Sequence, residues 1–232
     1  MLDDGSGSVV DAAITSRRSL RAFLRTPIPR ATVEHLLDVA ARAPSGTNMQ
    51  PWCGHAMAGQ RLRRFCDAVE AAFLAGAPAE ARDYRYYPET FFEPYLARRR
   101  EVGWGLYSLL GIGRGDTDKM RQQHARNFRF FGAPVGVIFT IDRRLEIGSW
   151  LDYGMFLQNV MVAARGLGLD TCPQAAFANF PNTVRAALEL PFQDVIVCGM
   201  AIGYADPGAV ENTLQTTRVP AREFMSFTGF ED

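Results

Sequence analysis

Two continuous apolar runs of strand length, residues 134–141 (PVGVIFTI) and 194–203 (DVIVCGMAIG), restrict this chain more than any other feature. Neither alternates polar with apolar residues, so each predicts a strand covered on both faces rather than one with a wet side. Between them, residues 150–169 form a segment that is apolar nearly all round, interrupted by Asp152, Gln158, Asn159 and Arg165. As a helix it needs burial on several sides, which a subunit interface supplies more easily than a monomer of this size. A charge at Met161 is therefore expected to dissociate a dimer.

The rest of the chain supplies helices to cover such strands. Residues 9–18 read as a helix, and the stiff Pro27-Ile28-Pro29 leads into a second over 30–43, where Val33, Leu36, Leu37, Val39 and Ala40 recur at spacings of three and four. Residues 53–57 read as a short strand, and Gly59 opens a helix through Leu62, Phe65, Cys66 and Val69. Residues 95–110 and 116–131 read as two more, and Pro181 opens a last one that Pro191 stops. The tail after Pro207 reads as polar and extended. A chain of 232 residues can enclose one substantial core. No period of 20–50 residues repeats. The expectation is a single domain of α+β or α/β type.

Charge and cysteine usage exclude several function classes. Lys plus Arg equal Asp plus Glu at 25 each, which leaves no net charge to draw nucleic acid or an acidic membrane surface. Cys53, Cys66, Cys172 and Cys198 are far apart, with no C-x-x-C pair, so reduced thiols in the cytoplasm are expected. The acids Asp3 and Asp4 stand where a signal peptide carries basic residues. Polar residues inside 150–169 argue against a membrane span. His35, His55 and His124 lack neighbours at metal-ligand spacing, and no G-x-S-x-G surrounds a serine, so neither a metal site nor a serine hydrolase is expected. The G-I-G-R-G at 111–115 lacks the third glycine of a dinucleotide loop and reads as a plain loop.

Three stretches concentrate polar chemistry. In APSGTNMQPW (43–52) a helix runs into a turn where Ser45, Gly46, Thr47, Asn48 and Gln50 sit between Pro44 and Pro51, offering hydroxyls, amides and close backbone approach. Such a turn either faces a ligand or satisfies its own backbone. In SRRSLR (16–21) three arginines and two serines can present guanidinium forks to one anion, or simply face water. In DYRYYPETFFEP (83–94) five aromatics accompany Arg85, suiting either a binding loop or one that anchors itself.

Together, SRRSLRAF (16–23) and APSGTNMQPW (43–52) resemble the nitroreductase family of FMN-dependent enzymes, most closely the nitrobenzoate reductase branch. The likeness continues through NFRFFGAPVGV (127–137), LDYGMFLQNVMVAARGLGLDTCPQ (151–174) and CGMAIGYADP (198–207), with Asn212 and Arg218 following. The resemblance implies an α+β fold with a central mixed sheet flanked by helices, an intertwined homodimer, and a lid-like insertion at about 83–115. It also implies FMN bound at the dimer interface, with NADH or NADPH as electron donor and a nitroaromatic acceptor reduced in ping-pong fashion. Arg17, Arg18, Ser19, Arg21 and Arg218 would hold the phosphate, ribityl and pyrimidine parts, while Pro44, Ser45, Gly46, Asn48 and Gln50 come from the other subunit. Pro173, Gln174 and Ala175 would lie near flavin N5, the chemistry being the cofactor's own. Tyr84, Arg85 and Tyr87 would meet the acceptor. Relatives usually carry glutamate where Ala175 stands and a lysine beside Arg218. Related folds also dehalogenate, reduce activated alkenes or cleave flavin, and a non-catalytic flavin-binding dimer is the further alternative.

Overall fold

The structure, a computed structural model, describes residues 6–76 and 80–230; Asp3 and Asp4 lie outside them. In chain order the elements are α1 (Ser6–Ser16), α2 (Arg30–Ala40), β1 (Cys53–Ala58), α3 (Gly59–Leu74), α4 (Tyr95–Leu109), α5 (Thr117–Ala125), β2 (Val135–Asp142), α6 (Ile147–Gly166), β3 (Asp170–Gln174), α7 (Pro181–Leu188), β4 (Asp194–Gly203) and α8 (Ala221–Phe224). The strands form one sheet in the order β1-β2-β4-β3, every ladder antiparallel. Among the described residues its parallel component is a one-residue bridge from Ser19 to Thr171, beside β3.

The two unbroken apolar runs are the central strands, buried along nearly their whole length. On one face α2 contributes Val33, Leu36 and Ala40, and α6 contributes Tyr153, Phe156, Val160 and Ala164. On the other, α3 contributes Leu62, Phe65 and Val69, and α7 contributes Val184. Along β2 the faces alternate, with Val135, Val137, Phe139 and Ile141 toward α6. Along β4 they do not. Phe139 pairs with Cys198 but Thr140 pairs with Ile196, so Val197 is skipped in a β-bulge. One extra residue shifts the period-two pattern by one. Val195, Val197, Cys198, Met200 and Ile202 consequently all join the α6-side core.

The helix expected over 116–131 ends at Ala125. The chain then tightens into a 3-10 turn, with Phe130, Phe131 and Gly132 at φ 48°, 53° and 84°. Left-handed backbone is sterically costly for phenylalanine. Packing offsets it: Phe130 stacks on Phe177 with ring centroids 4.7 Å apart. Beneath these rings lie Gly136 and Gly199, where any Cβ would collide with Phe130 and Phe177 respectively.

Helix α6 buries one side only. Ile147, Leu151 and Met155, each four residues apart, are 82%, 71% and 38% exposed. Met161 instead packs half-buried against the chain's own core, so the uncovered stripe lies nearer the start of the helix. Val9, Val10 and Ile14 of α1 are exposed as well. The tail departs from the polar reading, since it exposes Phe224, Met225, Phe227 and Phe230. Among the described residues no helix is long and apolar enough to cross a membrane.

Candidate active site

The basic run forms one half of the site. After α1 the chain runs beside β3, where Leu20 N–H donates to the Thr171 carbonyl at 3.2 Å. The Asn212 side chain holds the next residues: its Oδ1 accepts from the N–H groups of Arg21 (2.8 Å) and Ala22 (3.2 Å), and its Nδ2 donates to the Ala22 carbonyl (2.8 Å). Arg126 donates to the Arg21 carbonyl and pairs with Glu211. Leu20, Arg21 and Ala22 are thus fixed in place, and the side chain of Arg21 is presented from a held backbone. Burial and the neighbouring Arg218 both lower the pKa of Arg17, which places two guanidiniums in mutual repulsion. Burial pushes the Cys172 thiol up to about 11 against the opposing pull of Arg21 and Arg17. Arg17 and Arg21 therefore lie beside Cys172 of β3, and Arg218 beside Arg17.

Among the described residues no carboxylate pairs with them. Among the described residues the side-chain hydrogen bonds of these arginines are to the Ser19 carbonyl from Arg21, and to Thr216 and Thr217 from Arg218. Arg165, close by, bonds Ser16 and is paired with Asp170 at 2.5 Å. Uncompensated guanidiniums of this kind fit a dianionic group such as a phosphate monoester. Ser19 stands in the same segment, half-buried.

The turn after α2 forms the other half. Thr47, Asn48 and Gln50 all take left-handed backbone, at φ 50°, 60° and 49°. Only over-determination by neighbours sustains such a run. Asp152 of α6 supplies part of it: its Oδ2 accepts from Ser45 Oγ at 3.0 Å and from Gly46 N–H at 2.8 Å. Ser45 Oγ in turn accepts from Gln50 N–H at 2.8 Å, and the Gln50 amide donates to Asn48. One helical turn on from Asp152, Phe156 stacks on Trp52 at 4.9 Å. Pro44, Gly46, Asn48 and Gln50 remain exposed, and Ser45 half-buried. Asp152 and Arg165 lie 13 residues apart on α6, so the turn and the arginines sit roughly 20 Å apart along that helix. One chain does not bring them together.

Pro173, Gln174 and Ala175, at the end of β3, line a cavity of about 680 Å³ with Val195, Val197 and Cys198 of β4 and Trp150, Tyr153 and Leu157 of α6. Gln174 donates to the Asn127 carbonyl at 2.6 Å, while its buried Oε1 has no partner among the described residues. Tyr84 closes one wall. Its hydroxyl donates to the carbonyl of the bulged Val197 at 2.5 Å, and its ring packs 4.7 Å from Trp150. Burial raises the pKa of Tyr84 and of Tyr86, keeping both phenols protonated.

The loop is rooted by acids. Asp83 accepts from Arg185 at 2.6 Å and Arg143 at 2.7 Å. Burial works to raise its pKa, but the two guanidiniums prevail and hold it below the usual carboxylate range. Glu80 accepts from the backbone N–H groups of Asn182 and Thr183, capping α7. Beyond Tyr84 the loop loosens: Arg85 and Tyr86 line the cavity, with Arg85 paired to the exposed Glu89. Tyr87 stands edge-on behind Tyr86, away from the lining, and Arg82 is exposed. The segment continues as α4 and a turn through Gly111 to Asp116; Arg99 of α4 lies over the Phe91 ring. Sequence reasoning missed Asp152, Asp83, Arg143 and Arg185. The one local signal for Asp152 was a carboxylate inside an apolar helix.

A family model described as "Nitroreductase family" matches residues 14–204. The chain is 41% identical to a 4-nitrobenzoate reductase of Pseudomonas putida over 95% of this chain and 96% of that protein. It is also 41% identical to a chloronitrobenzene nitroreductase of Comamonas testosteroni, over 94% and 96% respectively. Among solved structures it resembles the FMN- and NADPH-dependent nitroreductase NfnB from Sphigopyxis sp. strain HMH, with TM-score 0.90, 38% identity and coverage of 95% and 99%.

Proposed function

The chain belongs to the nitroreductase family, and from that premise we propose that it is an FMN-dependent oxidoreductase that uses NADH or NADPH to reduce nitroaromatic or similarly electron-poor aromatic compounds in a ping-pong cycle. The observation that carries the reading is the placing of Arg17 and Arg21 beside the strand that leads to Pro173, Gln174 and Ala175, with Arg218 next to Arg17 and no carboxylate paired with any of them among the described residues. Arg17, Arg18, Ser19, Arg21 and Arg218 hold the phosphate and sugar-alcohol end. The segment Pro173–Gln174–Ala175 carries the ring system, where Ala175 contributes backbone only. FMN, when bound, supplies the two-electron chemistry that these side chains lack.

The chain's own groups bind, orient and exclude water. The cavity wall of Trp150, Tyr84, Val195 and Val197 is apolar and flat enough for an aromatic ring. Tyr84, Arg85 and Tyr87 belong to the acceptor end of a lid-like insertion at 83–115, and its exposed position at the rim of the cavity suits a site that takes nicotinamide and acceptor in turn. A homodimer is part of this reading. Ile147, Leu151 and Met155 form an exposed apolar stripe, and the turn with Pro44, Ser45, Gly46, Asn48 and Gln50 lies far from the arginines of its own chain, so a partner supplies it. We read the whole chain as one domain and place it in the cytoplasm, in keeping with its free cysteines.

The test is the absorption spectrum of the purified protein, followed by anaerobic mixing with NADPH or NADH and then with a nitrobenzoate. Flavin bands that bleach on the first mixing and return on the second are expected. Protein that binds no added FMN would overturn the reading.

A further inference from the structure

We propose that α6 crosses its own copy antiparallel in the dimer, with Gln158 on the two-fold axis, and that this crossing brings the polar turn of one chain to the arginines of the other. The inference deepens the homodimer of the function proposed above and rests on it. The turn at 44–50 is tied to Asp152 near the start of α6, and Ser16, which leads into the arginine run, is tied to Arg165 near its end. A two-fold rotation that carries the first place onto the second has its axis at right angles to the line between them, through the midpoint of that line. Because the line follows α6, the rotation reverses the helix and its axis passes by the helix middle. Midway between Asp152 and Arg165 stand Gln158 and Asn159.

The free surface of α6 has the same symmetry. Leu151, Met155, Gln158, Val162 and Gly166 follow one another at helical spacings of four and three and so share one face. None of the five is buried within the chain. With Gln158 on the axis, Met155 meets Val162 of the partner subunit and Leu151 meets Gly166 of the partner subunit. Each larger side chain thus faces a smaller one or none, and the exposed Gly154 adds no bulk, so the two helices can approach to the usual distance of about 8–10 Å. Asn159 is not the axis residue, since its Nδ2 already donates to the Ala40 carbonyl at 3.2 Å on the α2 side. The half-buried Gln158 amide is different, having no hydrogen bond among the described residues. A carboxamide carries both donor and acceptor, so two copies facing each other across the axis satisfy one another, as two like charges cannot.

Charge points the same way. Among the described residues Asp152 has no cation paired with it, accepting instead from Ser45 and Gly46, while Arg17, Arg21 and Arg218 have no carboxylate. The antiparallel crossing sets the Asp152 end of each helix beside the arginine end of the other, whereas a parallel one would set like against like.

The experiment is disulfide trapping in a Cys53→Ser background, which removes the exposed thiol among the four. Under mild oxidation Gln158→Cys should become a covalent dimer that keeps its FMN. Leu151→Cys should stay unlinked alone and link after subunit exchange with Gly166→Cys. Self-linking of Leu151→Cys as readily as Gln158→Cys, or a flavin-loaded Gln158→Cys dimer that never links, would overturn the crossing. Gln158→Glu should raise the dimer dissociation constant at least about tenfold at pH 7, and equimolar Gln158→Lys should restore assembly, the signature of a residue that meets itself. Dimerisation of Gln158→Glu as tight as that of the wild type would refute the axis. Should the variants at 158 fail to fold, spin labels on Ile147→Cys, exposed in the first turn, decide the matter. By the helix rise the two labels should stand roughly 33 Å apart along the crossed helices, and a separation under about 20 Å refutes the register. Wild type that binds FMN as a monomer would count instead against the homodimer of the proposed function, and protein that binds no FMN against the function itself.

Discussion

Asp152→Ala tests whether the polar turn at 44–50 is held in shape by a helix. The turn carries Thr47, Asn48 and Gln50 in left-handed backbone, at roughly 1–2 kcal/mol each, or about 3–6 kcal/mol uphill together. Against this stand two hydrogen bonds to the Asp152 carboxylate, each roughly 1.5–3 kcal/mol and nearer the lower figure because Gly46 is exposed. Losing roughly 3 kcal/mol leaves the turn without most of its restraint, while the core contacts of α6, made by Tyr153, Phe156 and Val160, stay as they are. Hydrogen exchange at the amides of Gly46 and Gln50 should accelerate ten- to a hundredfold, about 1.4 kcal/mol per tenfold, with FMN affinity falling in parallel. Asp152→Asn, which keeps an acceptor oxygen without the charge, should fall between. If exchange at Gly46 and Gln50 in Asp152→Ala matched the wild type, the turn would be held by something other than Asp152.

Arg17→Ala, Arg18→Ala or Arg21→Ala should weaken FMN binding about ten- to a hundredfold in a fluorescence titration, for roughly 1.5–3 kcal/mol per charge-assisted contact, whereas Arg99→Ala, on the outer helix, should not. Leu151→Glu should break the dimer and release flavin together, since an unpaired charge in such an interface costs about 3–5 kcal/mol; light scattering showing a flavin-loaded monomer would refute it. His124 stacks on Phe73 and packs against Phe128 with its outer edge exposed, and that partial desolvation lowers its pKa below 6.5. The unfolded chain therefore takes up that proton first, and stability should decline as pH falls below about 6.5 until the folded pKa is passed. His124→Gln should flatten that limb in urea midpoints measured from pH 7 to 5; an unchanged slope would clear His124 of the effect.

The central strands were legible because burial on both faces writes itself into sequence as an unbroken apolar run; 194–203 matches β4 to the residue, and 134–141 is one residue from β2. β3 was not, because Asp170 and Pro173 break a five-residue segment that survives as an edge strand. Nor was the break at Ala125. Phe128 and Phe131 continue helical spacing, and only the ring stack above Gly136 and Gly199 requires left-handed phenylalanines. The arginine run and the polar turn were visible as local chemistry, but what restrains them was not. Asp152 meets Ser45 across 107 residues, and Arg185 meets Asp83 across 102, separations that no local pattern records. The uncovered stripe on α6 was expected in kind but misplaced at Met161, since composition says how much apolar surface a helix carries and not which part its own core takes.

The roots of the segment between α3 and α5 bear on how this scaffold can vary. Glu80 and Asp83 tie its start to α7, and Arg121 of α5 returns to the Leu74 carbonyl at the end of α3, so the chain is closed at its base before the excursion begins. Once the two ends of a segment are clamped, doubling its length adds only about 0.6 kcal/mol of closure entropy. Insertions and deletions within 85–116 are then nearly free for the sheet, yet each one redraws the rim over Arg85 and Tyr86. On the proposed assignment, acceptor range can drift by length change alone, with the arginine run and β3 left untouched.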